Sequence, residues 1–208
     1  MPSKTRNGRS NGASTRKQSR KGSSPKSSKT TSLGTRLGLS SEELSGAIRC
    51  LNRALSNVSV LTIKTKKSHW DVVGPQFMTL HKLWDVQYET LARYQDELAE
   101  RIRTLGGFPV GTLAGFLREA TLTEHPGDVP NATDAVSNLL ADHEHIVRDL
   151  RESIDACDDR FNDKGTADFL TGMMEEHEKM AWMLRSFLQG EGVEPDLKTE
   201  RPRITAYA

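Results

Sequence analysis

The chain has no Asp or Glu in its first 41 positions, two cysteines in 208 residues, and no long apolar run. Cys50 and Cys157 stand far apart inside apolar helical patterns, and they read as small buried hydrophobes in a reducing compartment. Nothing approaches the ~20 consecutive apolar residues of a membrane span, so no membrane partner is expected. The N-terminus also lacks the apolar segment of a secretory signal. It is Arg- and Ser-rich and acid-poor, as transit peptides are. Before Leu33, however, Met1 and Ala13 are its only apolar residues apart from Gly and Pro, too few for an amphipathic face. A cytoplasmic protein is expected. Strand-like alternation is missing as well, which leaves an all-α fold.

What the first 41 residues do hold is ten cations: Lys4, Arg6, Arg9, Arg16, Lys17, Arg20, Lys21, Lys26, Lys29 and Arg36. The remaining 167 residues carry 19 basic and 28 acidic groups, a formal −9, hidden in a chain total of +1. A basic arm on an acidic body calls for a polyanion partner, with nucleic acid the first candidate. The arm is Ser, Lys, Arg, Gly and Thr, and cannot bury enough apolar surface to fold. The expected organisation is a disordered basic tail over 1–37, a helical body over 38–192 and a C-terminal tail over 193–208.

Periodicity begins at Ser40. Ser40 and Glu43 form a capping-box pair, and Leu44, Ile48, Leu51, Leu55, Val58 and Thr62 follow as one stripe. That helix runs to about Val73, where Gly74-Pro75 ends it. A second helix is predicted over about 76–105, stopped by Gly106-Gly107. Residues 106–130 form a Gly- and Pro-rich connection around a short helix, LAGFLREA. A third long helix spans about 133–158, with Val136, Leu139, Leu140, His143, Val147, Leu150 and Ile154 on its stripe. A fourth spans about 166–188, carrying Phe169, Met173, Met180, Leu184 and Phe187, with Gly190 as its stop. Four amphipathic helices with one long crossover make a four-helix bundle with a short extra helix between helices 2 and 3.

The stretch KKSHWDVVGPQFMTLHKLWDVQYE gathers His69, His81 and Asp85. His81 and Asp85, four apart, share a helix face, and two imidazoles with a carboxylate suit a first-row transition metal. Further along, Asp96 and Glu100 repeat the four-residue spacing. Eleven residues separate Asp85 from Asp96, which leaves them about 20° apart around the axis. The two pairs nevertheless lie about 22 Å apart along it, so within one chain they cannot share a metal. A second copy of the helix, antiparallel across a two-fold axis near Leu91, brings the pairs together and makes two equivalent sites. The Glu-x-x-His motif of bundle-core di-iron sites is absent.

KSHWDVVGPQFMTLHKLWD followed by YQDELAERIRTLGG strongly resembles the Dps family, the small ferritins that protect DNA in starved or oxidatively stressed cells. The likeness covers about residues 45–190 and rests on His-Trp-Asp-x-x-Gly, the His81-x3-Asp85 pair, Asp96-x3-Glu100 and Leu-Gly-Gly. It implies a ferritin-like bundle assembled through two-fold dimers into a hollow homo-dodecamer with a ferric mineral core. It implies iron ligands His69, His81 and Asp85 from one subunit and Glu100 of the partner subunit, with the partner's Asp96 a ligand or a group behind one. It also implies acidic three-fold pores near the start of the last helix, for which Asp163 and Asp168 are candidates. Asp163 reads equally well as a helix N-terminal acid favoured by the macrodipole. Trp70 and Trp182 match family tryptophans; packing is the ordinary role of such rings, and the resemblance adds absorption of oxidising equivalents beside the site.

The expected activity is ferroxidation. Two Fe(II) ions give one electron each to hydrogen peroxide, which is reduced to water, and ferric oxide mineralises inside the shell. The competing expectation is an architectural DNA-compacting protein, nucleoid-associated, with iron oxidation secondary or absent. His125, His143, His145 and His177 are not expected in the site.

Overall fold

Ser40 opens the first helix as its capping box requires. Its backbone N–H donates to Glu43 Oε2 at 2.6 Å, and Glu43 N–H donates back to Ser40 Oγ at 3.2 Å. The computed structural model describes residues 34–189. Most of the basic arm, the C-terminal tail and the Gly190 stop lie outside the described residues. The helices are α1 (Ser41–Asp71), α2 (Phe77–Thr104), the short α3 (Leu113–Glu119), α4 (Ala132–Asp155) and α5 (Lys164–Leu188). There are no strands among the described residues, and the all-α bundle with a short crossover helix is the architecture observed.

The reversal between α1 and α2 turns on Gly74, whose φ of +106° lies where a side chain would be strained. α1 packs chiefly on α2 and α4 on α5, while α1–α4 and α2–α5 contacts close the bundle. The core is filled by Leu51, Leu61, Leu80, Trp84, Leu91, Leu98, Ile102, Leu139, Ile146, Leu150 and Leu170, all essentially sealed from solvent.

Three boundaries differ from the sequence reading. α4 begins at Ala132 because Asn131 caps it, accepting from Asp134 N–H at 2.9 Å. It gives way after Asp155 to a π-turn, Ala156–Arg160, rather than running helically to Asp158. α5 starts two residues early because Asp163 caps it, accepting from Thr166 N–H at 3.0 Å.

The stripe on α1 also understates its burial. Every residue from Ala54 to Leu61 is buried, because the crossover and α3 cover the face that periodicity assigns to solvent. Polar residues of α1 tie the crossover down. Asn52 Oδ1 accepts from Val110 N–H at 2.8 Å, Asn57 Oδ1 from Thr121 N–H at 2.7 Å, and Lys64 Nζ donates to the Thr123 carbonyl at 2.7 Å. The end of the arm is anchored too. Thr35 Oγ1 donates to the Leu105 carbonyl at 3.4 Å, so the arm leaves from beside the C-terminal end of α2.

Candidate metal centre

His69 sits in the last turn of α1 and His81 in the second turn of α2, brought together by the Gly74 reversal. Each ring is held by the other residue's backbone. His69 Nδ1 contacts the His81 carbonyl at 2.9 Å, and His81 Nδ1 contacts the His69 carbonyl at 2.9 Å. A carbonyl only accepts, so both Nδ1 atoms donate, which in a neutral ring leaves the lone pair on Nε2. That is the tautomer a metal-ligating imidazole needs, with its second nitrogen fixed by a backbone oxygen. The rings stack at 3.7 Å between centroids and 19° between planes, and Phe77 stacks on the outer side of His81 at 5.0 Å.

Asp85, one turn beyond His81, places Oδ1 3.8 Å from His69 Nδ1. A hydrogen bond from Tyr88, aided by the nearby charges of His69, Lys66 and His81, holds its carboxyl below the usual carboxylate range. It is an anion at neutral pH. The Tyr88 ring is itself held, edge-on to His69 at 5.7 Å and under Lys66 Nζ at 3.3 Å from its centroid. Two imidazoles and one carboxylate thus lie near one another beside the α1–α2 turn, residue types that suit a divalent first-row ion.

The half-shell is not completed within the chain. Asp96 and Glu100 are exposed on the outer face of α2, and among the described residues no group of three or more His, Cys, Asp or Glu side chains forms a metal-holding cluster. Around the half-site lies an apolar surface. Trp70, Val73 and Met78 at the α1–α2 turn and Val86 beside Asp85 are each more than half exposed. Trp182 is likewise exposed, on α5.

The two acids near the start of α5 are placed very differently. Asp163 is 5 % exposed. Its oxygens accept from Arg101 Nη2 at 3.1 Å and from Thr166 Oγ1 at 2.6 Å as well as capping the helix. Asp168 points into solvent.

Sequence reasoning left one buried constellation out. His143 of α4 and His177 of α5 are fully buried and meet through their Nδ1 atoms at 2.9 Å. One ring donates and the other accepts, so at least the accepting ring is neutral. Both lie at core positions of their helices, but nothing in either helix pairs them. Burial, and secondarily the proximity of His177, pushes the pKa of His143 well below its ordinary value; burial pushes that of His177 down to about 3. The unfolded chain protonates both rings near pH 6.5 whereas the folded chain does not. Below pH 6.5 the unfolded state therefore binds more protons, and stability falls as pH falls toward 3. The ceiling is about 1.4 kcal/mol per pH unit for each ring. Thermal unfolding should shift to lower temperature between pH 6.5 and 4.5, and more shallowly in a His177→Gln variant. An identical slope in that variant would place the acid sensitivity elsewhere.

A Ferritin-like domain model matches residues 48–191 of the chain. A low temperature-induced protein of Nostoc sp. is 56% identical over 160 residues, covering 77% of this chain and 89% of the relative. A DNA protection during starvation protein of Brevibacillus brevis is 38% identical over 139 residues, covering 67% of this chain and 92% of the relative. Among solved structures, Dps from Thermosynechococcus elongatus superposes with a TM-score of 0.69 at 32% identity, over 74% of this chain and 98% of that one.

Proposed function

The chain belongs to the Dps family of ferritin-like proteins, and from that membership we propose that it is a peroxide-using ferroxidase and iron-storing, DNA-protecting shell. The observation that carries the reading is the half-shell itself. His69 and His81 are locked with Nε2 free, beside an anionic Asp85, while the two remaining carboxylates lie exposed on the same helix about 22 Å away.

A two-fold partner closes this geometry. With α2 antiparallel across the axis, the partner subunit's Glu100 reaches the volume in front of His81 and Asp85, and the partner's Asp96 lies one turn behind it. The exposed Trp70, Val73, Met78 and Val86 form the kind of apolar patch that marks an interface, and an isologous contact covers both copies at once. Repeated dimers then build the homo-dodecamer.

Fe(II) is the substrate. The imidazoles bind it without adding charge, and Asp85 with the partner's Glu100 stabilises the ferric product because each adds a negative charge. Two Fe(II) ions give one electron each to hydrogen peroxide, which takes up two protons and leaves as two waters. Trp70, adjoining His69 in sequence, and Trp182 absorb stray oxidising equivalents. Asp168 lines the entry pore. Asp163, already bound to Arg101 and Thr166, shapes that pore by fixing the start of α5 rather than by contacting the ion. The protein works in the cytoplasm beside DNA, to which the basic arm binds.

Anaerobic Fe(II) titration of the assembled protein, followed by peroxide and a ferric absorbance reading, tests the site. Glu100→Gln should weaken Fe(II) binding by about 10-fold or more and Asp96→Asn by less, because a direct ligand loses more than a group acting behind it. Equal losses would place Asp96 in direct contact with iron. Unchanged binding in Glu100→Gln would remove the shared site.

A further inference from the structure

We propose that His143 and His177, with the thioether of Met180, form a buried Cu(I) site inside the bundle, separate from the inter-subunit iron site. The two imidazoles come from α4 and α5 and are wholly sealed from solvent. Their Nδ1 atoms are 2.9 Å apart, with ring centroids at 5.1 Å and planes inclined by 52°. Neither Nε2 has a hydrogen-bond partner among the described residues. Four buried ring nitrogens thus share one hydrogen bond. An unpaired polar group in a core calls for an explanation, and a bound ion is one.

The spacing fits a shared metal. Two nitrogens 2.9 Å apart, each about 2.0 Å from one ion, subtend about 90° at it, and parting them by about 0.6 Å opens that angle to about 120°, a trigonal site. Shifting the shared hydrogen from Nδ1 to Nε2 of the same ring frees both Nδ1 lone pairs and leaves both rings neutral. Burial, which pushes both pKa values down, keeps protons from competing with the ion for these nitrogens.

The third ligand follows from α5. Four of the chain's six methionines lie between positions 173 and 183. Met173, four residues before His177, and Met180, three after it, share its helix face, and both are buried. Side chains on a helix lean toward its N-terminus, so Met180 leans back over His177 while Met173 leans away from it. Imidazole and thioether together select Cu(I). Charge agrees with that choice, because the cost of burying an ion grows with the square of its charge. The carboxylate next to His143 offers no offset, since Lys64 Nζ already holds Asp142 at 2.7 Å. A monovalent ion is the one such a core tolerates. Entry is from the open groove between α4 and α5, whose lining includes Glu144 and Glu178, each next in sequence to one of the histidines.

Assembled full-length protein is titrated anaerobically with Cu(I) in competition with bicinchoninate, and the loaded protein is measured by X-ray absorption. One Cu(I) per chain should resist the competitor, with two nitrogen neighbours and one sulfur. Met180→Leu, which conserves volume, should weaken binding by about 10-fold or more and remove the sulfur signal, and His177→Gln should weaken it by about 100-fold, since even loss of a group that orients a ligand costs 10–100-fold. Met173→Leu should bind as the wild type does. Unchanged binding in Met180→Leu and His177→Gln, equal losses in the two leucine variants, a spectrum without sulfur, or binding lost in His81→Gln instead would overturn the proposal. If His177→Gln does not assemble, Met180→Leu and the wild-type spectrum decide. Because the measurement involves neither iron nor peroxide, its failure leaves the ferroxidase reading standing, and the reverse also holds.

Discussion

Replacing both His69 and His81 by alanine should lower the initial rate of peroxide-driven ferric absorbance by about 100-fold or more, since even loss of a group that merely orients a ligand costs 10–100-fold. The two rings are the imidazole part of the proposed site. Each is aimed by the other's backbone carbonyl, which alanine keeps, so a single truncation costs the remaining ring only its stacking partner. The double variant leaves Asp85 with Lys66 and Tyr88 as its neighbours, an arrangement with a single anion and no imidazole to hold Fe(II). His69 is buried, so its truncation also loosens the α1–α2 turn. Gel filtration and circular dichroism check that the shell persists, and His81→Gln, at a half-buried position, provides a milder variant. Oxidation within threefold of wild type in an intact shell would mean that iron is oxidised somewhere other than at this site.

Deleting residues 2–36 should abolish DNA retardation at moderate salt. The arm brings ten positive charges and the rest of the chain carries −9, so a body without arms is repelled by the phosphates. Binding through such an arm is by phosphate neutralisation and released counterions, without base readout. With 6–10 phosphates neutralised, affinity falls by about 10³–10⁵ between 50 and 200 mM salt. Many arms on one shell multiply weak single contacts, which makes the effect of removing all of them large. The shell and its iron oxidation should persist in the deletion. If the truncated protein retards DNA as well as the full chain, another surface binds it. Collapse to dimers would make the arm an assembly device, consistent with its exit beside Leu105 at the end of α2.

These two outcomes separate the readings that composition left in competition. Loss of oxidation with DNA binding intact, and loss of DNA binding with oxidation intact, belong to one protein that does both. An architectural protein would show the second effect and no oxidation in the wild type.

The sequence by itself determined the local features: the capping box at Ser40 and Glu43, the core stripe of each helix, the short crossover helix, and the phase that places His81, Asp85, Asp96 and Glu100 on one side of α2. It also determined the charge division between arm and body. These are legible because a helix has a fixed period, so a residue's own neighbours report its face. The tertiary structure alone decided what meets across helices. His143 meets His177 only through the register of α4 on α5. Likewise, Asp163 turns inward because Arg101 of α2 reaches it, and the ring orientations of His69 and His81 are set by each other's carbonyls across the Gly74 turn. Periodicity carries no information on the axial offset between two packed helices. That offset is set by how all their side chains interlock, and contacts between residues distant in sequence follow from it.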